Sequence, residues 1–331
     1  MHIKSLNICW SILPAVSRSF ALCIKLLPKP ISDQVMISYL LFRVLDTIED
    51  SSASFLVKKR LFAKVIKCMK TVNKKEVVNL RTDMMMQLDF TYERVLVENL
   101  DAVFSVYFDF SYKIRMNILK WAKVMTKGML MYQRQEITTM NDQNRYSYYV
   151  AGVVGYLFTD IIFLNGKISK HQHILLKKYA KYFGLALQKI NILRDVARDI
   201  ANGRYYWPKK LLKKYGLNYQ SLLSKENRDK ALNVLLELVN DAKKYIRDGM
   251  EYILLLPQSE IRIRAFCLIP LFMAIESYIL CIGNADVFDV EKTIKISRLQ
   301  VRDIVTKCML IGNSNEQLFI WFSESMSKVK V

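Results

Sequence analysis

The chain has 331 residues, 52% of them hydrophobic, with only 10 glycines and 6 prolines, and a formal net charge of +20. That length buries a substantial core, and so few breakers amid long apolar runs of helical period argue for long helices over many short strands. No Ser/Gly/Pro-rich linker, low-complexity tract or solenoid repeat divides residues 1–331, so one large all-α domain is expected. The charge points either to an anionic partner (nucleic acid, a membrane surface or a phosphorylated substrate) or to nothing more than the solvated surface of a lysine-rich protein. The lysines are scattered through helical segments such as KKRLFAKVIKCMK (58–70), and no nucleic-acid-binding module is evident, so no nucleic-acid partner is expected.

In chain order, the start MHIKSLNICWSILPAVSRSF lacks a signal-peptide apolar core with a small-residue cleavage site. Cys9, Cys23, Cys68, Cys267, Cys281 and Cys308 form no C-x-x-C pair and read as buried thiols in a reducing compartment. VMISYLLFRVLDTIED (35–50) reads as a buried helix ending in Asp46, Glu49 and Asp50. Asp46 and Asp50 stand at i and i+4 and share a face, which is costly in apolar surroundings without a cation. Asp83 and Asp89, in RTDMMMQLDF, read as helix-surface acids.

YYVAGVVGYLF (148–158) and CLIPLFMAIESYILCIG (267–283) are apolar, but Asp160 cuts the first short and the second carries Pro270 and Glu276. Both read as buried core helices. HQH (171–173) has no further ligand at metal spacing. In NILRDVARDIANGRYYWP (191–208), Asn191, Asp195 and Asp199 run at i, i+4 and i+8, with Gln188 one turn earlier. Such hard oxygen donors suit Mg²⁺, which keeps several waters and bridges to substrate phosphate. Arg43, Arg194, Arg198 and Arg204 lie beside these acids and can bind phosphate bidentately. Two such helices facing each other would make a cage of carboxylates, Mg²⁺ and diphosphate. Gly203 reads as a helix stop and Pro208 as a following breaker. The end of the chain, LFIWFSESMSKVKV, has only a short apolar run, so no C-terminal anchor is expected.

SRSFALCIKLLP (17–28), FRVLDTIED (42–50), YSYYVAGVVG (146–155), LALQKINILRDVARDIANGRYYWP (185–208) and CLIPLFMAIESYILC (267–281) resemble, in order, the conserved blocks of the squalene and phytoene synthases, most of all the squalene-forming branch. The resemblance spans about residues 10–310. It implies a single helical bundle, the isoprenoid-synthase fold, with a central active-site cavity. It implies two farnesyl diphosphates joined head to head through presqualene diphosphate with Mg²⁺ and release of pyrophosphate, then reduction to squalene by NADPH. The alternatives are a product left at presqualene diphosphate, dehydrosqualene or phytoene, or a non-catalytic relative, a class expected to have lost acids from its motifs where this chain keeps all four aspartates.

The family's metal-binding motifs map onto Asp46, Glu49 and Asp50 and onto Asn191, Asp195 and Asp199. Its substrate contacts map onto Arg18, Ser19, Phe20, Arg43, Gln188, Arg194 and Arg204. Its catalytic tyrosine maps onto Tyr146, which the residues alone do not distinguish from Tyr148 or Tyr149. Asp46, Asp50, Asp195 and Asp199 would serve the departing diphosphate. TIKISRLQ (293–300) resembles the family's basic closing loop, with Lys295 matching and Arg298 following Ser297, which stands at a usually basic position; NADPH would bind there. The expected location is cytoplasmic or peripheral, the basic surface lying against anionic lipid.

Overall fold

The computed structural model describes residues 2–89 and 93–329, leaving out the side chains of His2 and Arg18. Among the described residues every regular element is helical and none is a strand. The chain divides into two compact units. One holds the described residues through Arg134 together with Tyr156–Ser169; the other holds Gln135–Gly155 and the described residues from Lys170 onward.

In the first unit the chain runs through α1 (His2–Val16), α2 (Arg18–Leu26), α3 (Ile31–Asp50), α4 (Phe55–Thr71), α5 (Lys74–Gln87), α6 (Arg94–Glu98), α7 (Leu100–Asp109) and α8 (Tyr112–Tyr132). Helix α3 is buried almost all round, and α1, α2, α4, α7 and α8 pack on it. Leu40, Leu41, Val44, Leu45 and Ile48 are fully buried along it. Asp33 in its first turn suits the positive end of the helix dipole and accepts the Trp10 indole N–H at 2.8 Å. Asp160, which interrupts the first apolar stretch, accepts the Trp121 indole N–H at 2.9 Å.

The second unit opens with α9 (Met140–Ser147), started by a Thr139/Asp142 capping box. A π-helical turn, Tyr148–Gly152, follows, and α10 (Val153–Leu164) continues from it. Then come α11 (Lys170–Arg194), α12 (Val196–Ala201), the short α13 (Lys209–Lys214) and α14 (Tyr219–Leu222), α15 (Arg228–Leu254), α16 (Ile261–Cys281), α17 (Arg298–Ile311) and α18 (Asn315–Ser327). Helix α11 is the hub, packed against the π turn, α15 and α16. Two glycines allow the first of these approaches. A Cβ on Gly155 would sit 1.8 Å from the Ala180 carbonyl oxygen, and one on Gly184 would sit 2.2 Å from that of Ala151.

Arg264 is fully buried and donates to the Leu256 carbonyl at 2.7 Å and to Asn315 Oδ1 at 2.6 Å, tying the end of α15 to α16 and α18. All six cysteines are free and buried, as expected. The two apolar stretches lie in helical segments, Met140–Leu164 and Ile261–Cys281, that are long and apolar enough to cross a membrane. The most apolar window of Ile261–Cys281 is 72% buried within the protein, as in a core helix, while that of Met140–Leu164 is 50% buried.

Candidate active site

The first acidic motif occupies the last turn of α3. A helix C-terminus already carries partial negative charge, so Asp46, Glu49 and Asp50 oppose both one another and the backbone there. Two cations offset this. Lys58, 7% exposed, donates to the Glu49 carbonyl oxygen at 2.7 Å and to Gln133 Oε1 at 3.1 Å. Arg43, one turn back, reaches Asp46 at 4.0 Å and donates to Glu93 Oε1 at 2.7 Å.

The Arg43 Nε is buried without a hydrogen-bond partner among the described residues. Burial pushes the Asp46 carboxyl up to about 7; Arg43 opposes this, and Asp50 and Glu93 add to it. Water reaches 36% of the Asp46 side chain and softens the burial, yet the neighbouring acids still disfavour its ionised form. Glu49 is buried and Asp50 exposed.

Tyr39 was not among the residues picked from the sequence. Its hydroxyl hydrogen-bonds Ser17 and lies in the field of Arg43 and Asp46, while its ring stacks on Phe20 with centroids 5.5 Å apart. Ser17 also caps α2, accepting the Phe20 N–H at 3.3 Å. Ser19 is exposed. The Arg18 side chain lies outside the described residues.

The second motif sits where α11 passes into α12. The two helices are assigned separately, with Asp195 between them, but the i to i−4 ladder runs on. Asp195 donates its N–H to the Asn191 carbonyl at 2.9 Å, and Asp199 donates to the Asp195 carbonyl at 2.9 Å. Asn191, Asp195 and Asp199 therefore keep helical spacing, with Gln188 half-buried a turn earlier.

Each acid of this line meets an arginine. Arg194 donates to Asp195 at 3.1 and 2.6 Å and to Asn191 Oδ1 at 3.3 Å, and Arg204 Nε stands 3.7 Å from Asp199. Gly203, at φ +71°, ends α12 in the left-handed conformation, and the following N–H of Arg204 returns to the Asp199 carbonyl at 2.8 Å. The expected helix stop is thus what turns Arg204 back toward Asp199. Arg198 donates to Thr293 Oγ1 at 3.2 Å, in the segment that leads to Lys295. Lys295 and Arg298 are exposed; Ser297 caps α17 by accepting the Gln300 N–H at 3.1 Å.

Tyr146 lies in the last turn of α9, just before the π turn, and is 4% exposed. Its ring stacks on Tyr206 with centroids 4.8 Å apart and planes at 18°. In the GRYYWP segment the three aromatics diverge: Trp207 is buried with its indole N–H 3.0 Å from the Ile192 carbonyl, Tyr205 is 44% exposed, and Tyr206 covers Tyr146. Next to Tyr146, the fully buried Ser147 hydroxyl has no hydrogen-bond partner among the described residues.

No three His, Cys, Asp or Glu side chains among the described residues stand close enough to hold a metal by themselves. Mg²⁺ is a cation that can bind through one or two carboxylates and complete its shell with waters and substrate phosphate.

The class so defined is an all-α protein that carries two acidic helix lines, each with arginine beside it. The squalene/phytoene synthase family model matches residues 13–300. Squalene synthase of Schizosaccharomyces pombe is 31% identical over 321 residues, covering 94% of this chain and 66% of that protein. Squalene synthase 8 of Panax ginseng is 30% identical over 286 residues, covering 85% of this chain and 68% of that one. The ligand-bound structure of TcSQS superposes with a TM-score of 0.87 at 27% identity, over 98% of this chain and 91% of that one. The chain spans about two thirds of the length of the curated relatives it matches. It belongs to the squalene/phytoene synthase family, the head-to-head isoprenoid prenyltransferases. Members act on isoprenoid diphosphates and typically use Mg²⁺.

Proposed function

We propose that this chain joins two molecules of farnesyl diphosphate head to head into presqualene diphosphate and reduces that intermediate to squalene with NADPH. The observation that carries the proposal is the pair of acidic helix lines, each retaining its two aspartates and each with arginine beside it.

An allylic diphosphate leaves only when its charge is offset. Bound Mg²⁺, held by Asp46, Glu49 and Asp50 and by Asn191, Asp195 and Asp199, would supply that neutralisation. Arg43, Arg194 and Arg204 donate to diphosphate oxygens, with Arg18, Ser19, Phe20 and Gln188 as further substrate contacts. As the cyclopropane closes, a proton leaves carbon; the Tyr146 hydroxyl relays it toward the departing pyrophosphate. Buried aromatic faces keep the cation from water and stabilise it. Lys295 and Arg298, exposed and basic, are assigned to the phosphates of NADPH.

The test is product analysis. Purified protein is incubated with farnesyl diphosphate and Mg²⁺, with and without NADPH, and the lipids are identified by mass spectrometry. Squalene formed only with NADPH is expected. Ser297 caps a helix where the family is usually basic, which favours the second reading: presqualene diphosphate, dehydrosqualene or phytoene accumulating despite NADPH. No turnover of any prenyl diphosphate would overturn the enzyme assignment in favour of a non-catalytic relative.

A further inference from the structure

Lys189 is 2% exposed in a chain whose lysines mostly decorate the surface. It stands one residue after Gln188 and two before Asn191, so helical geometry turns it away from the acidic line of α11. Burying an ammonium is costly, and this one is matched closely. Its Nζ lies 2.5 Å from Asp241 Oδ2 on α15 and 5.3 Å from the Tyr245 ring centroid, and it donates to Gln143 Oε1 on α9 at 2.8 Å. Lys244 holds the other Asp241 oxygen at 2.7 Å.

A protonated lysine has donors and no acceptor, so it dictates which way the Gln143 amide faces. With its oxygen on Lys189, the amide nitrogen must turn outward, and it donates to the Tyr206 carbonyl at 2.9 Å. The Tyr206 ring in turn lies on Tyr146 at 4.8 Å. Gln143 and Tyr146 are i and i+3 on one face of α9, so the amide anchors both the tyrosine's own helix and the residue stacked on it. The π turn begins immediately after Ser147, the last residue of α9.

We infer that Lys189, Gln143 and Asp241 form a positioning device that fixes the Tyr146 hydroxyl through Tyr206. Lys189 and Gln143 do not touch substrate; they set the place of the group that does. The inference rests on the proposed proton-relay role of Tyr146.

The test is a double-mutant cycle on single-turnover pyrophosphate release from farnesyl diphosphate. Gln143→Met keeps volume and removes the amide. It should lower the rate on the order of 10- to 100-fold, as small misplacements do, with KM unchanged within about 2-fold. Tyr146→Phe should lower the rate at least as much, and adding Gln143→Met to it should cost nothing further. Lys189→Met paired with Asp241→Asn, which leaves no unmatched buried charge, should reproduce the rate loss.

A merely structural role would show as a lower melting temperature with wild-type rate in the folded enzyme, or as losses that multiply in the double variant. Either result overturns the device. Wild-type rate in Tyr146→Phe alone instead overturns the relay role. If the wild type is inert toward farnesyl diphosphate, the crystal structure of Gln143→Met decides. Tyr206 displaced from Tyr146 supports the device; an unmoved pair overturns it.

Discussion

Asp46 is more useful to function than to stability. Without a metal its carboxylate is hemmed in, set at the negative end of α3 and faced by Asp50 and Glu93, with Arg43 no nearer than 4.0 Å. Asp46→Asn should therefore melt at the same temperature as wild type or roughly 1–3 °C higher in chelator. It should lose most of the added stability that Mg²⁺ with diphosphate confers by mass action, and release of pyrophosphate should fall at least about 100-fold. Differential scanning calorimetry with and without Mg²⁺ and inorganic pyrophosphate, alongside turnover, measures both. A melting temperature well below wild type would mean that Asp46 is structural. At this scale the acids and arginines were legible because their spacing is local. Glu93, 50 residues from Arg43 in sequence, and the Asp241 partner of Lys189 were not. A lysine destined for the core looks like any other in a lysine-rich chain until the fold supplies its carboxylate.

Helix boundaries follow the same division. The stop at Gly203 was readable, since a left-handed residue after an amphipathic run is a local demand met by glycine. The π turn at 148–152 has no sequence signature; YYVAGVVG reads as plain apolar helix. What the sequence showed without explaining is the pair of glycines in that block. Gly155 is there because α11 passes so close that a methyl would enter the Ala180 backbone, and Gly184 meets Ala151 in the same way. Gly152 differs: its nearest obstacle is the end of the Leu185 side chain at 2.8 Å, which can swing aside. Gly155→Ala and Gly184→Ala should each cost about 3 kcal/mol or more, the upper end of overpacking penalties. Gly152→Ala should stay within about 1 kcal/mol, aided by alanine's helix propensity. Urea unfolding followed by circular dichroism ranks the three. Equal losses would place the close approach elsewhere.

For the molecule as a whole, scarce glycine and proline and long apolar periodicity carried the all-α architecture, because helix formation depends on composition summed over many residues. The division into two units was not marked, since the chain passes from one to the other at 134/135, 155/156 and 169/170 without any compositional break. The charge of +20 has a consequence at this scale alone. No single salt bridge accounts for it; it is a field, and a field draws the protein to anionic lipid with an energy that grows with each basic residue near the surface and fades beyond a Debye length. We propose that this field holds the chain peripherally at membranes, beside an apolar product that water does not carry. The apolar window of Ile261–Cys281 is 72% buried within the protein and that of Met140–Leu164 50%, and with the charge as the driving field attachment should be electrostatic and reversible. The protein should then co-sediment with vesicles containing about 30% phosphatidylserine at low salt and be released by roughly 0.3 M NaCl, where the Debye length falls below about 6 Å. It should not bind pure phosphatidylcholine. Binding that survives salt, or that ignores lipid charge, would instead require apolar insertion and would reassign one of those helical segments to the bilayer.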